Sequence, residues 1–138
     1  MKYFSYSEFF KSDVAEKHQV ENTPDGAQLS QVLGNIKALV LNVLDPLRAM
    51  IARPIIITSG YRSQRVNELV GGSKTSQHLL GKAADIHVQG YTPQQMDMVY
   101  RTIQMYYDFD QLIFYPSKNI IHISWNGDKN RQESWVKA

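Results

Sequence analysis

The sequence has no cysteine among its 138 residues. This absence excludes a disulfide framework, and it also excludes a zinc site built from thiolates. Any metal ion that the chain binds would therefore need histidine and carboxylate ligands, and only four histidines are present.

Neither charge sign dominates the chain, and no long apolar run occurs in it. The 15 basic and 13 acidic residues give a net charge of +2, and the basic residues are scattered, so neither nucleic acid nor an anionic membrane is an expected partner. No segment is apolar for long enough to span a bilayer, and the first residues are too polar for a signal peptide. We expect a monomeric single domain over residues 1–138, made in the cytoplasm without a signal peptide.

The most informative stretch covers residues 76–87. Alternation over residues 83–88 predicts a strand, and its period of two places Asp85 and His87 on the same face. A carboxylate in the middle of a strand costs free energy unless a cation or hydrogen bonds compensate it. A divalent metal ion shared with His78 would provide that compensation.

Local signals elsewhere predict four helices, one of which is short, covers residues 64–69, is capped by Ser63 and ends at Gly71-Gly72. Capping-box patterns indicate a short helix within residues 3–10 and a longer helix that opens with Pro93. Between them, apolar residues at steps of three and four predict a long helix that begins at Pro24 and is kinked or split at Pro46. Residues 11–25 show no period and are expected to be irregular.

Four segments predict strands, at residues 54–58, 83–88, 109–115 and 120–125. The first is continuously apolar and is expected to be buried on both faces, and the last two should form a hairpin. The remainder of the chain is polar, with Trp135 as an expected anchor. This order of elements predicts an α+β fold with a small, mainly antiparallel sheet packed by helices.

His78, Asp85 and His122 are the candidate metal ligands. Two imidazoles and one carboxylate, with a fourth position left for water, are the composition of a catalytic zinc site rather than a structural one. The alternative is that these histidines are only hydrogen-bonded members of a sheet, and for a single histidine that alternative would be favoured.

A longer pattern bears on this choice. Ser76-x-His78-x-x-Gly81-x-Ala83-x-Asp85, followed by His122-Ile123-Ser124-Trp125, resembles the zinc D-Ala-D-Ala carboxypeptidases of peptidase family M15. The resemblance is greatest to the short single-domain branch found in phages and bacteria, and it covers essentially the whole chain. Further similar segments, in order, are Asn22-Thr23-Pro24, Val43 to Arg48, Ile57 to Ser63, Val70 to Ser73, Phe109 to Ile113 and Asn130-Arg131-Gln132.

The resemblance implies a Hedgehog/DD-peptidase-like fold and assigns roles to individual residues. His78, Asp85 and His122 take the positions of the zinc ligands, whereas Arg62 and Ser76 match positions that contact substrate or brace the site. The family cleaves peptides at D-amino acids in bacterial cell walls, and a terminal or D-glutamyl carboxylate would suit Arg62. Its mechanism is the attack of zinc-bound water on an amide, assisted by a general base.

The chain departs from the family pattern at the position of the base. Many relatives have an acidic residue three positions before the last zinc ligand, where this chain has Asn119, and short-branch relatives often have a glutamate where it has Tyr115. Tyr115 could reach the site and donate a hydrogen bond to an oxyanion, and His87 is the other candidate proton acceptor. Asp110 is expected to point to the opposite face of its strand.

Two hypotheses about function follow. The first is a zinc-dependent peptidoglycan peptidase, either a D,D-carboxypeptidase or an endopeptidase, that acts on stem peptides or their precursors. Such a protein could be phage-encoded and reach the cell wall without its own export signal. The second is a non-catalytic, zinc-containing module that binds cell wall, suggested by Asn119 in place of an acidic residue.

Overall fold

The computed structural model describes all 138 residues as an α+β fold, as predicted. The α-helices are α1 (Tyr6–Phe10), α2 (Asp13–His18), α3 (Gly26–Leu39), α4 (Asp45–Ile51), α5 (Gln64–Leu69) and α6 (Pro93–Tyr106). The strands are β1 (Ile55–Ser59), β2 (Ala83–Val88), β3 (Gln111–Tyr115), β4 (Ile120–Ser124) and β5 (Glu133–Val136). A π-helical turn covers Val40–Leu44, and short 3₁₀ turns cover Gln77–Leu80 and Gly127–Lys129. None of the helices has the length and apolar character needed to cross a membrane.

The five strands form one sheet in the order β1-β2-β4-β3-β5. Three of the four strand pairs are antiparallel, and only β3 and β5 run parallel. One face of the sheet is buried against the helices, and on β2 that face carries Ala84, Ile86 and Val88, as the alternation predicted. The opposite face therefore remains open over the middle of the sheet.

The long predicted helix is interrupted before Pro46. Proline lacks the backbone N–H and its ring clashes with the preceding turn, so a regular α-helix cannot continue through it unchanged. The structure accommodates Pro46 with the π-helical turn, after which α4 continues with Pro46 in its first turn. The predicted start at Pro24 was wrong by two residues, because Asp25 is the N-cap and its side chain accepts the Gln28 N–H.

Three other expectations about elements were wrong. A short helix, α2, occupies part of the segment expected to be irregular, and Ser12 caps it. Strand β1 is buried on one face only, because Ile55 lies in the core whereas Ile56 points to the other face and is 44% exposed. Strand β5 was not predicted, and Trp135 within it is 41% exposed rather than an anchor.

A candidate metal centre at the floor of a cleft

The sheet register brings Asp85 and His122 together on the open face. The two residues are direct partners across the antiparallel pair β2 and β4, so their side chains project on the same side. Asp85 Oδ1 lies 3.0 Å from His122 Nδ1. The ladder of backbone hydrogen bonds therefore fixes two of the three predicted ligands before any metal ion is bound.

His78 reaches the same point from the 3₁₀ turn that precedes β2. The Ser76 hydroxyl accepts the backbone N–H of His78 and so caps this turn. The ring is buried, with Nδ1 2.7 Å from the Gly60 carbonyl oxygen and Nε2 3.3 Å from Asp85 Oδ1. Because a carbonyl only accepts, Nδ1 carries a proton, and Nε2 is the ring atom left to face Asp85 or, once deprotonated, a metal ion.

The three side chains fit a zinc ion. His78, Asp85 and His122 each offer one ligand atom, and these atoms lie within 4.8 Å of one another. Ligands 2.0–2.2 Å from a tetrahedral zinc ion are about 3.4 Å apart, close to the 3.0 and 3.3 Å that separate Asp85 Oδ1 from the His122 and His78 nitrogens. The donor set of two imidazoles and a carboxylate is also one that zinc accepts.

Arg62 holds the carboxylate from its other side. Its Nη2 lies 3.3 Å from Asp85 Oδ2, and its Nε donates to the Ser59 hydroxyl at 3.0 Å. A third, longer contact joins Nη1 to Asn67 Oδ1 at 3.5 Å. Burial lowers the pKa of Arg62, whereas the charges of Asp85 and Tyr115 raise it, with burial the larger effect.

Asp85 stays ionised in this environment. Burial alone raises its pKa, but hydrogen bonds and positive charge from His122 and His78 outweigh burial and hold the pKa well below its usual range. A carboxylate kept in its anionic form is ready to bind a cation.

The three candidate ligands lie at the floor of a polar cleft of about 640 Å³. The remainder of the floor is formed by side chains that alternate along β3 and β4, so Gln111, Ile113 and Tyr115 share one face. The cleft is lined by 17 residues: Arg62, Gly71, Gly72, Ser73, Thr75, Ser76, Gln77, His78, Asp85, Gln111, Ile113, Tyr115, Lys118, Ile120, His122, Arg131 and Lys137.

Tyr115 lines this cleft as a protonated phenol. Burial and the nearby Asp85 charge raise its pKa, and Arg62 lowers it by a smaller amount. The side chain therefore has a proton to donate at neutral pH and is a poor proton acceptor.

His87 and Asn119 do not line the cleft. His87 Nδ1 lies 2.9 Å from the Asn119 carbonyl oxygen. Asn119 has a positive φ of 54° in the turn between β3 and β4, and its amide nitrogen donates to the Tyr91 carbonyl. The structure thus brings six of the seven predicted site residues to the cleft and leaves only His87 outside it.

Asp110 has a role at the site that the sequence did not indicate. Its side chain is fully buried and does not line the cleft, and it accepts hydrogen bonds from Gln77 Nε2 and from the backbone N–H, Nε and Nη2 of Arg131. Gln77 and Arg131 both line the cleft. The segments around residues 110 and 131 had been noted as similar to the family, and that was the available signal.

A comparison with protein families agrees with this geometry. The family model described as Peptidase M15 matches residues 2–124, a span that contains all three candidate ligands and most of the cleft. No curated protein matches the chain. Since the match covers far more than half of the sequence, the chain belongs to peptidase family M15.

Proposed function

We propose that this protein is a zinc-dependent peptidoglycan peptidase, a D,D-carboxypeptidase or a stem-peptide endopeptidase. The observation that carries the proposal is the set of His78, Asp85 and His122 at the floor of an open polar cleft. Three ligands leave a coordination position free, which is the arrangement of catalytic rather than structural zinc sites.

Each residue around the centre has a distinct task in this proposal. A bound zinc ion would lower the pKa of water toward neutrality and polarise a carbonyl. Arg62 pairs with Asp85 and holds it in place, and Ser76 holds the turn that carries His78. Tyr115 donates its phenolic proton in a hydrogen bond to the carbonyl oxygen of the scissile amide, which stabilises the negative charge that develops there.

The polar lining of the cleft supports a peptide substrate. Only three of its 17 lining residues are hydrophobic, and the amide side chains of Gln77 and Gln111 can pair with peptide N–H and C=O groups. Cell-wall stem peptides and their soluble precursors are extended, polar and anionic. They are therefore the proposed substrates.

A second function is favoured by the shortage of proton acceptors. Asp85 is the only carboxylate that lines the cleft, and its lowered pKa makes it a weak base. His87, the predicted acceptor, lies outside the cleft lining. A zinc-containing module that binds cell wall without cutting it would need no such group.

The test is zinc content measured together with the release of amines from purified sacculi. Three proteins are compared, the wild type, His122→Ala and His18→Ala. His18 is an exposed histidine at the end of α2, so its replacement is a matched control for the loss of an imidazole. We expect about one zinc per chain and amine release in the wild type and in His18→Ala, and neither in His122→Ala.

Other results separate the two functions. Zinc binding and sacculus pull-down without amine release across the pH range would favour the binding module. Zinc bound equally by the wild type and His122→Ala would contradict the metal centre itself.

A further inference from the structure

The cleft is lined by four cationic side chains besides its histidines, Arg62, Lys118, Arg131 and Lys137. Two of them already have carboxylate partners, because Arg62 pairs with Asp85 and Arg131 pairs with Asp110 and Glu133. Lys118 and Lys137 form no ion pair with any residue of the chain, although both lie where a substrate would bind. Their charge is therefore free to bind an external anion.

The two lysines come from different elements but both lie beside the end of β3. Lys118 lies in the turn between β3 and β4, and its Nζ is 5.5 Å from the centre of the Tyr115 ring. Lys137 directly follows β5, and its backbone N–H donates to the Phe114 carbonyl at 2.8 Å, which sets it beside the end of β3. No acidic side chain other than Asp85 lines the cleft to compete for them.

The sheet separates these lysines from the candidate metal centre. Strand β5 is two strands away from β4, which carries His122. Neighbouring strands are about 4.8 Å apart, which puts Lys137 about 10 Å across the sheet from His122, whereas Lys118 lies beyond the first residue of β4, Ile120. An extended peptide advances about 3.3 Å per residue, so this distance corresponds to two or three residues of substrate.

We infer that Lys118 and Lys137 together bind a carboxylate of the substrate that lies two or three residues from the scissile amide. The inference rests on the proposed function and narrows its substrate to anionic peptides, such as stem peptides with a free D-glutamyl α-carboxylate. It also assigns that carboxylate to the lysines rather than to Arg62, because Arg62 is occupied by Asp85, Ser59 and Asn67.

The experiment uses two synthetic stem pentapeptides that differ at one group, a D-glutamyl carboxylate in one and the corresponding carboxamide in the other. Equilibrium binding to the metal-free full chain is measured by calorimetry, and KM and kcat are measured on the zinc-loaded protein. The variants are Lys118→Gln, Lys137→Gln and the double variant. Lys129→Gln, at an exposed lysine that does not line the cleft, is the matched control for charge.

The wild type and the control should prefer the carboxylate peptide. Each single variant should weaken its binding about fivefold, the scale of one exposed ion pair, and leave binding of the carboxamide peptide unchanged. The double variant should bind both peptides alike, with KM raised and kcat retained. The inference is overturned if the wild type shows no preference, or if the preference survives in the double variant.

Because peptide binding is measured on the metal-free chain, the test of the lysine site does not depend on hydrolysis. A wild type that distinguishes the peptides through the lysines but cleaves neither would support the lysine site and contradict the peptidase.

Discussion

Replacement of Asp110 should lower the free energy of unfolding substantially, although Asp110 does not contact the candidate ligands. The carboxylate is fully buried and accepts four hydrogen bonds, from Gln77 Nε2 at 2.7 Å and from the backbone N, Nε and Nη2 of Arg131 at 2.8, 3.0 and 2.8 Å. In Asp110→Ala, the Arg131 guanidinium can turn to water because that side chain is 52% exposed. The Gln77 amide and the Arg131 backbone N–H cannot do so as easily.

The magnitude follows from those two donors. A buried donor left unpaired costs about 1–3 kcal/mol, so the loss in the free energy of unfolding should be about 3 kcal/mol. For a chain of this size that lowers Tm by about 10 °C. Arg131→Ala keeps the Gln77 contact and the backbone donor on Asp110, and it should cost only about 1 kcal/mol.

The dependence of stability on pH gives an independent check. Hydrogen bonds from Arg131, opposed by burial and helped by Gln77, lower the pKa of Asp110 in the folded state. The folded protein therefore holds fewer protons than the unfolded chain, so this contribution is present above the unfolded pKa of about 3.9 and is lost as pH falls through the folded value. Asp110→Ala should lose that part of the acid dependence.

Urea unfolding followed by circular dichroism, at neutral and acid pH, measures all of these quantities. Asp108→Ala is the matched control, because Asp108 is an exposed aspartate two residues away. If Asp110→Ala is within about 0.5 kcal/mol of Asp108→Ala at neutral pH, the reasoning about the buried network is wrong.

Three further predictions concern the site. Zinc at a hundred times its Kd should stabilise the wild type by about 2.7 kcal/mol in thermal unfolding, and an equal gain in Asp85→Asn would contradict the assigned ligand. Tyr115→Phe should lower kcat on a cell-wall peptide by about a hundredfold with little change in KM, whereas an unchanged kcat would exclude the proposed hydrogen bond. Gly60→Ala should cost about 1–3 kcal/mol and weaken zinc binding, because an added Cβ would lie 2.7 Å from the Cα and carbonyl oxygen of Phe9. The control for it is Gly34→Ala, where the added Cβ meets nothing within 4 Å and stability should not fall.

Local signals in the sequence predicted much of the fold. The capping boxes at Ser5 and Thr92 mark true helix starts, because the side chains that close them are only three residues apart. The alternation over β2 correctly separated the core face from the face of Asp85. Strand β5 was missed because its partner β3 runs parallel to it and lies some twenty residues earlier, a distant pairing that no local pattern reports.

The sequence placed His87 on the same strand face as Asp85, but a shared face does not bring two side chains to the same site. His87 is on the face of Asp85, but two residues along a strand is about 6.6 Å, enough to leave it outside the cleft. The hydrogen-bond network of Asp110 was not predicted, because its partners Gln77 and Arg131 lie on segments far from β3 in the sequence. A buried network of this kind joins residues from three distant segments, so no periodic pattern in the sequence predicts it.

The three residues after β1 act as a single brace for His78. The Gly60 carbonyl contacts the His78 ring, and the Arg62 N–H donates to the His78 carbonyl at 3.0 Å. Between them, the Tyr61 N–H donates to the Phe9 carbonyl at 2.8 Å, which ties this brace to α1.

The segment that carries the family motif in this protein consequently depends on residues outside it. Residues 55–125 contain every candidate ligand, yet transplanted alone they would lack the aromatic helix against which Gly60 is seated. A smaller domain engineered from this chain would have to retain the N-terminal residues that support the brace for His78, although none of them lines the cleft.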